Sequence, residues 1–170
     1  MKKCNLDRLA AENVFELIGK EWMLVTAGTP DHFNTMTASW GGVGFLWNRP
    51  VAFLFIRPER YTYTFIEASE KLTMAFLGHE HQEVHNICGK QSGRDRDKIA
   101  AAQLHPLTTP DGNVSFAEAR LTLEGRKLFS CDMRSAHFLD QDILERWYND
   151  QPGGSFHRIY VIEIENIYEK

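Results

Sequence analysis

The spacing of the strand-forming runs limits the fold more than any other feature of this chain. Val114 to Ala119, Leu121 to Met133 and His157 to Tyr168 are rich in β-formers, and one short helical stretch, Asp140 to Tyr148, separates the last two. In the final run Ile162 and Ile164 alternate with Glu163 and Glu165, the period of a strand with one wet face. A doubly wound parallel sheet needs a crossover helix between successive strands, and no such helices recur here. The pattern predicts a mainly β (α+β) chain, a barrel with short appended helices.

The first half fits that plan. Apolar residues at Leu6, Leu9, Ala10, Val14, Leu17 and Ile18 predict a helix over residues 7–19, ending at Gly19. Trp22 to Ala27 reads as a strand, Gly28-Thr29-Pro30-Asp31 as a turn, and Asn34 to Trp40 as the returning strand. Val51 to Ile56 is continuously apolar, so a strand covered on both faces is expected, by the core and by another layer or subunit. Thr62 is placed to cap a helix over Tyr63 to Ser69. Leu72 to Leu77 returns to strand, and Glu80 to Gly89 and Asp95 to Gln103 read as helices. With 170 residues and no repeat or linker, a single domain over 1–170 is expected.

Several function classes are disfavoured. A net charge of -4 gives no general pull on nucleic acid or an anionic membrane. No apolar run approaches the roughly 18 residues of a membrane span. Met1-Lys2-Lys3-Cys4 is not followed by the apolar stretch of a secretory signal. Cys4, Cys88 and Cys131 are odd in number and far apart, as suits reduced thiols and a cytoplasmic setting. His79, His81, His85 and Cys88 invite a metal reading, but the order is not His-Glu-x-x-His; a solvated helix explains them, and no metal site is expected. Gly41-Gly42-Val43-Gly44 lacks the Lys-Ser/Thr of a phosphate loop, and no Gly-x-Gly-x-x-Gly is present.

Three blocks carry the chemistry. They are Asn34 to Gly42, Arg57-Pro58-Glu59-Arg60-Tyr61-Thr62, and Ser92-Gly93-Arg94-Asp95-Arg96-Asp97-Lys98. Hydroxyls (Thr37, Ser39, Thr62, Ser92) and cations (Arg57, Arg60, Arg94, Lys98) can hold a phosphate, while Trp40 and Tyr61 can cover a ring. Two helix starts, one at Thr62 and one at Ser92-Gly93-Arg94, would converge on the phosphate. The alternative is that Thr62 and Ser92 only cap helices and the arginines pair with Glu59, Asp95 or Asp97. The small residues of Asn34 to Trp40 leave room for something flat; read differently, they form a barrel edge strand with Trp40 in the core. Tyr61 is either a ring cover or a core aromatic.

In this order the blocks resemble the flavoredoxin-like branch of the flavin reductase family, over nearly the whole chain from Trp22 to Tyr160. The resemblance implies an FMN-binding split β-barrel and a homodimer with the cofactor near the subunit interface. By resemblance, the cofactor-binding residues are Asn34, Met36, Thr37, Ala38, Ser39 and Trp40 along the ring and ribityl chain, with Arg57, Arg60, Tyr61, Thr62, Ser92, Gly93, Arg94 and Lys98 toward the phosphate. It implies an NAD(P)H:flavin oxidoreductase handing electrons to free flavin or a redox protein. A catalytic histidine near the start of the last long strand matches His157, within Gly153-Gly154-Ser155-Phe156-His157-Arg158; the alternative is a surface histidine at a loop–strand junction. The alternative functions are a flavoredoxin-like carrier without a nicotinamide site and a non-enzymatic binding module. Two positions depart from the family pattern: Gly125 replaces a usual cysteine, and Ile162 stands where glycine is common. Ile162 is expected to narrow the approach to the ring.

Overall fold

The computed structural model describes residues 1–148 and 155–170. Its elements are β1 (Lys2–Cys4), α1 (Leu6–Ala10), α2 (Val14–Glu16), a π-helical turn (Leu17–Glu21), β2 (Met23–Thr29), β3 (His32–Ala38), β4 (Gly41–Leu46), β5 (Arg49–Ile56) and α3 (Tyr61–Ala68). There follow β6 (Lys71–Phe76), α4 (Gln82–Lys90), α5 (Lys98–Ala101), β7 (Pro106–Thr108), β8 (Val114–Phe116), β9 (Leu121–Asp132), α6 (Gln141–Tyr148) and β10 (Arg158–Glu169).

One antiparallel sheet runs β3-β2-β6-β9-β10-β5-β4, with β1 also on β10, while β7 and β8 form a separate hairpin. Its end strands, β3 and β4, are joined by Ser39 and Trp40 alone, yet they do not pair. The sheet is therefore closed everywhere except along that seam, which is the split. Ala52, Leu54 and Ile56 of β5 pack with Val25, Met36, Met74, Leu123 and Ile162 in the main core. A second cluster, Leu24, Ala75, Leu77, Cys88 and Phe116, lies on the opposite face of β2 and β6, beneath α4.

Those two strands are covered on both faces within the chain itself. The inner face of β5 is buried, but Phe53 and Phe55 on its outer face are half-buried. Phe53 lies across Gly42 and Gly44 of the neighbouring strand, 3.9 and 3.6 Å from where their Cβ atoms would be. The glycine richness that hid β4 in the sequence is thus a flat seat for an aromatic ring. The β4–β5 hairpin turns on Trp47 and Asn48, both at positive φ (51° and 60°), the geometry of a two-residue turn that matches strand twist.

The helix expected over 7–19 is broken in three. Asn13 accepts hydrogen bonds from the amides of Phe15 and Glu16 and starts α2 afresh, since its short polar side chain competes for backbone donors. The π-helical turn then carries the chain past Gly19 to Trp22, at φ 70°. The helix expected over Asp95 to Gln103 shrinks to Lys98–Ala101 because Asp97 caps it, accepting from Ile99 and Ala100 amides. Thr62 is not a cap either: α3 begins at Tyr61, with Arg60 in the cap position.

Gly125 and Ile162 prove to be one feature. Ile162 is fully buried in the main core, so it does not narrow any approach to the cleft described below. A Cβ on Gly125 would sit 2.1 Å from the Glu163 carbonyl oxygen and 2.7 Å from Ile162 Cγ2. The absent side chain at 125 accommodates the branched one at 162. We predict that Gly125→Cys destabilises the fold by about 1–3 kcal/mol through overpacking, as read by chemical denaturation. Wild-type stability in that variant would show that the β9–β10 pair has slack.

Candidate functional site

The seam makes a cleft. Because β3 ends the sheet, its outer backbone edge has no strand partner, and consecutive residues Met36, Thr37, Ala38, Ser39 and Trp40 line a cavity of about 240 Å³. Phe55, Arg57 and Arg60 from the end of β5 and the start of α3, Trp147 of α6, and His157 just before β10 complete it. Trp40 meets Trp147 edge-on, ring centres 5.0 Å apart at 88°, and His157 at 5.0 Å with a 39° tilt. The walls are flat, mostly apolar, and fit a planar aromatic ligand.

His157 is 8% exposed. Burial first, and the Arg57 charge second, push its pKa down to about 4, so the imidazole is neutral at ordinary pH. It is therefore not a surface histidine at a loop–strand junction. Its Nδ1 lies 2.8 Å from the Tyr148 hydroxyl.

Arg60 also lines a second cavity, of about 210 Å³, together with Glu59, with Tyr61 and Thr62 at the start of α3, and with Gln91, Ser92 and Lys98. Lys98 is only 3% exposed, and the charges acting on it are those of Cys88 and Arg60. Burial draws its pKa down to about 8 and that of Arg60 below its usual value. Arg60 Nη2 donates to the Cys88 carbonyl at 3.3 Å, and no carboxylate pairs with Lys98 among the described residues. Glu59 supplies a nearby negative charge to Arg60 but not to Lys98; a lysine held out of water without a carboxylate is costly, and an anion entering beside it lowers that cost. The free first amides of α3 favour the same charge.

The other expected residues are placed differently. Asn34 Nδ2 donates to Thr62 Oγ1 at 2.8 Å; both are buried, and the bond ties β3 to α3. Gly93 packs so closely that a Cβ there would lie 2.3 Å from Asn34 Oδ1. Arg94 stacks on the Tyr61 ring, 4.7 Å from its centre, and reaches the Glu59 carbonyl at 3.4 Å. Tyr61 is thus covered by Arg94 and set edge-on to Phe65. Ser92 sits in a turn after α4, not at the start of α5, and its Oγ accepts from the Arg94 amide at 3.2 Å. Arg57 turns to α6: Nη2 donates to the Trp147 carbonyl at 2.7 Å, and the guanidinium lies over the Tyr148 ring at 5.2 Å. So the two expected helix starts reduce to one, that of α3, with Lys98 supplied from the first residue of α5.

Thr37 Oγ1 donates to the His85 carbonyl at 2.7 Å, locking β3 to α4. His85 is buried edge-on to Trp22, and no cluster of metal-binding side chains occurs among the described residues. Gly153 and Gly154 lie outside the described residues. Sequence reasoning missed Phe55, Gln91, Trp147 and Tyr148. Gln91 adjoins the third block, and its Oε1 is buried without a partner; Trp147 and Tyr148 carry no local signal, because α6 reaches the cleft only through the tertiary fold.

A family model for the flavin reductase like domain matches residues 16–170. The chain belongs to that family. Among solved structures, this flavin reductase-like chain is similar to flavoredoxin from Methanosarcina acetivorans, with TM-score 0.67 and 18% identity over 88% of this chain and 68% of that one. Flavoredoxin of Desulfovibrio vulgaris (Miyazaki F) aligns with TM-score 0.66 and 19% identity, covering 100% and 77%. An FMN-binding protein from Thermus thermophilus, solved with bound 1-cyclohex-2-enone, aligns with TM-score 0.66 and 18% identity, covering 87% and 69%. At such identities these structures show the shared fold. No curated protein matches the chain.

The buried lysine has a measurable consequence. Its folded pKa of about 8 lies below the ordinary lysine value of 10.5, so between those pH values the unfolded chain holds the extra proton. Lys98 should therefore contribute a rise in stability with pH, by about 1 kcal/mol between pH 8 and 9 in the absence of added anions; above pH 9 the raised thiol of Cys88 works in the opposite direction. Lys98→Met should lose that rise and be the more stable form below pH 8; denaturation curves of both proteins at pH 8 and pH 9 decide it.

Proposed function

We infer that this chain is an FMN-binding oxidoreductase of a single domain. The observation that carries the reading is the pair of cations Arg60 and Lys98, Lys98 buried with no carboxylate partner among the described residues, with Arg60 shared between the anion cavity and the aromatic cleft. A ligand with a flat ring at one end and a phosphate at the other fits both. Arg60, Lys98, Ser92 and the α3 amides would hold the phosphate, and the β3 edge from Met36 to Trp40 would run beside the ring. When bound, FMN would supply two-electron chemistry with a nicotinamide and one-electron chemistry with an acceptor.

NADH or NADPH is the proposed reductant, and free flavin or a redox protein the acceptor. His157 contributes a neutral imidazole at the cleft wall. A second reading, a flavoredoxin-like carrier reduced by another protein, is favoured by Trp147, whose edge against Trp40 narrows the cleft. We also propose a homodimer, formed through the outer face of β5 and β9: Trp47 and Phe129 are exposed there, ring centres 6.2 Å apart, beside half-buried Phe53 and Phe55. A cytoplasmic setting suits the three free thiols.

The purified protein should be yellow, with the absorption bands of oxidised flavin, or should quench FMN fluorescence on titration. A colourless protein that does neither would instead be a binding module of another kind. Anaerobic NADH or NADPH should bleach the bands; persistence of colour would make it a carrier. Lys98→Met should weaken FMN binding far more than riboflavin binding, by about 1.5–3 kcal/mol for one charge-assisted contact. Arg94→Ala should cost less, because its guanidinium is engaged with Tyr61. Equal losses for both ligands in Lys98→Met would remove the phosphate from this cavity.

A further inference from the structure

We propose that Tyr148 is a positioning residue that fixes His157 as the Nε2–H tautomer, so that the imidazole faces the cleft as a neutral hydrogen-bond donor rather than as a base. The geometry rests on two contacts. The Tyr148 hydroxyl and His157 Nδ1 are 2.8 Å apart, a full-strength hydrogen bond. The other acceptor near that hydroxyl is the Met133 sulfur at 3.8 Å, a weak one. The phenol proton therefore goes to Nδ1, and the single proton of a neutral ring must sit on Nε2.

Arg57 reinforces the arrangement from the other side. Its guanidinium lies over the Tyr148 ring at 5.2 Å and makes the phenol a better donor, while its hydrogen bond to the Trp147 carbonyl holds the end of α6 in place. The same positive charge opposes a second proton on His157. Glu59, the acid facing this group, is engaged with the Ser155 hydroxyl and with Arg57 at 3.7 Å. No proton changes hands: the imidazole keeps Nε2–H and offers it to a carbonyl oxygen or an electron-rich ring nitrogen in the cleft. The nature of that acceptor rests on the flavin reading; the tautomer does not.

Nitrogen NMR of ¹⁵N-histidine-labelled protein tests this directly. In the wild type at neutral pH, His157 should show a protonated Nε2 and an unprotonated, hydrogen-bonded Nδ1. In Tyr148→Phe the Nδ1 signal should shift as its hydrogen bond is lost, and the Nδ1–H tautomer should become populated; buried His85 serves as the folding control. An Nδ1–H pattern in the wild type, or identical His157 signals in the two proteins, overturns the proposal. Adding FMN should move the Nε2 signal. An unmoved Nε2 with FMN demonstrably bound, by fluorescence quenching, overturns the donor role and leaves the flavin reading standing. Absence of FMN binding would sink that reading and leave the tautomer result intact.

Discussion

The long antiparallel pairing of β9 with β10 is what the remainder of the molecule is built on. Each strand has 12 residues, and the register shifts twice along the pair, between Val161 and Ile162 and between Ile164 and Asn166. Such irregularities bend a ribbon and raise its twist, which lets one ladder serve both walls of a barrel: β6 joins on the β9 side, β5 and β1 on the β10 side. Gly125 lies between the two shifts, opposite Ile164. The end of β9 and the start of β10 then bring Met133, the approach to α6, and His157 to the open seam. Geometry at the cleft is inherited from this bend.

Against that frame of hydrogen-bonded strands, the polar site is an imbalance left in place. Elsewhere the fold answers its buried charges: Glu21 is held by Arg120 and the Gly78 amide, and Glu124 accepts hydrogen bonds from Thr109, Asn113, Asn166 and Tyr168. Arg60 has the Cys88 carbonyl and the nearby charge of Glu59, but Lys98 has no such carboxylate among the described residues. A molecule that satisfies its interior acids this thoroughly, yet keeps a buried lysine beside an arginine, supports the anionic ligand proposed above.

Much of this was legible before any coordinates. Strand alternation at Ile162 and Ile164, the absence of crossover helices, and the turn at Gly28 to Asp31 were local, and local signals read well. What failed depended on competition between neighbours. Asn13 and Asp97 are capping residues that cut longer apolar periodicities short, and capping wins when tertiary packing does not need the extra turn. The site divided along the same line: Met36 to Trp40 are sequential and form one wall together, so a motif found them. Arg57 and Arg94 stand in the right motif but were drawn aside by partners distant in sequence, Trp147 and Glu59. Tyr148 could not have been found, because its role exists only once α6 has folded back against His157.

Cys88 has a chemical fate that follows from its place beside the cations. It is fully buried, and desolvation pushes its pKa up to about 11, so the nucleophilic thiolate is essentially unpopulated. Reduced flavins leak electrons to dioxygen and generate hydrogen peroxide, which is attacked by thiolates far faster than by thiols. A protein with the proposed chemistry would make such an oxidant at its own centre, and this sulfur, set next to the anion cavity, is in the form that survives it.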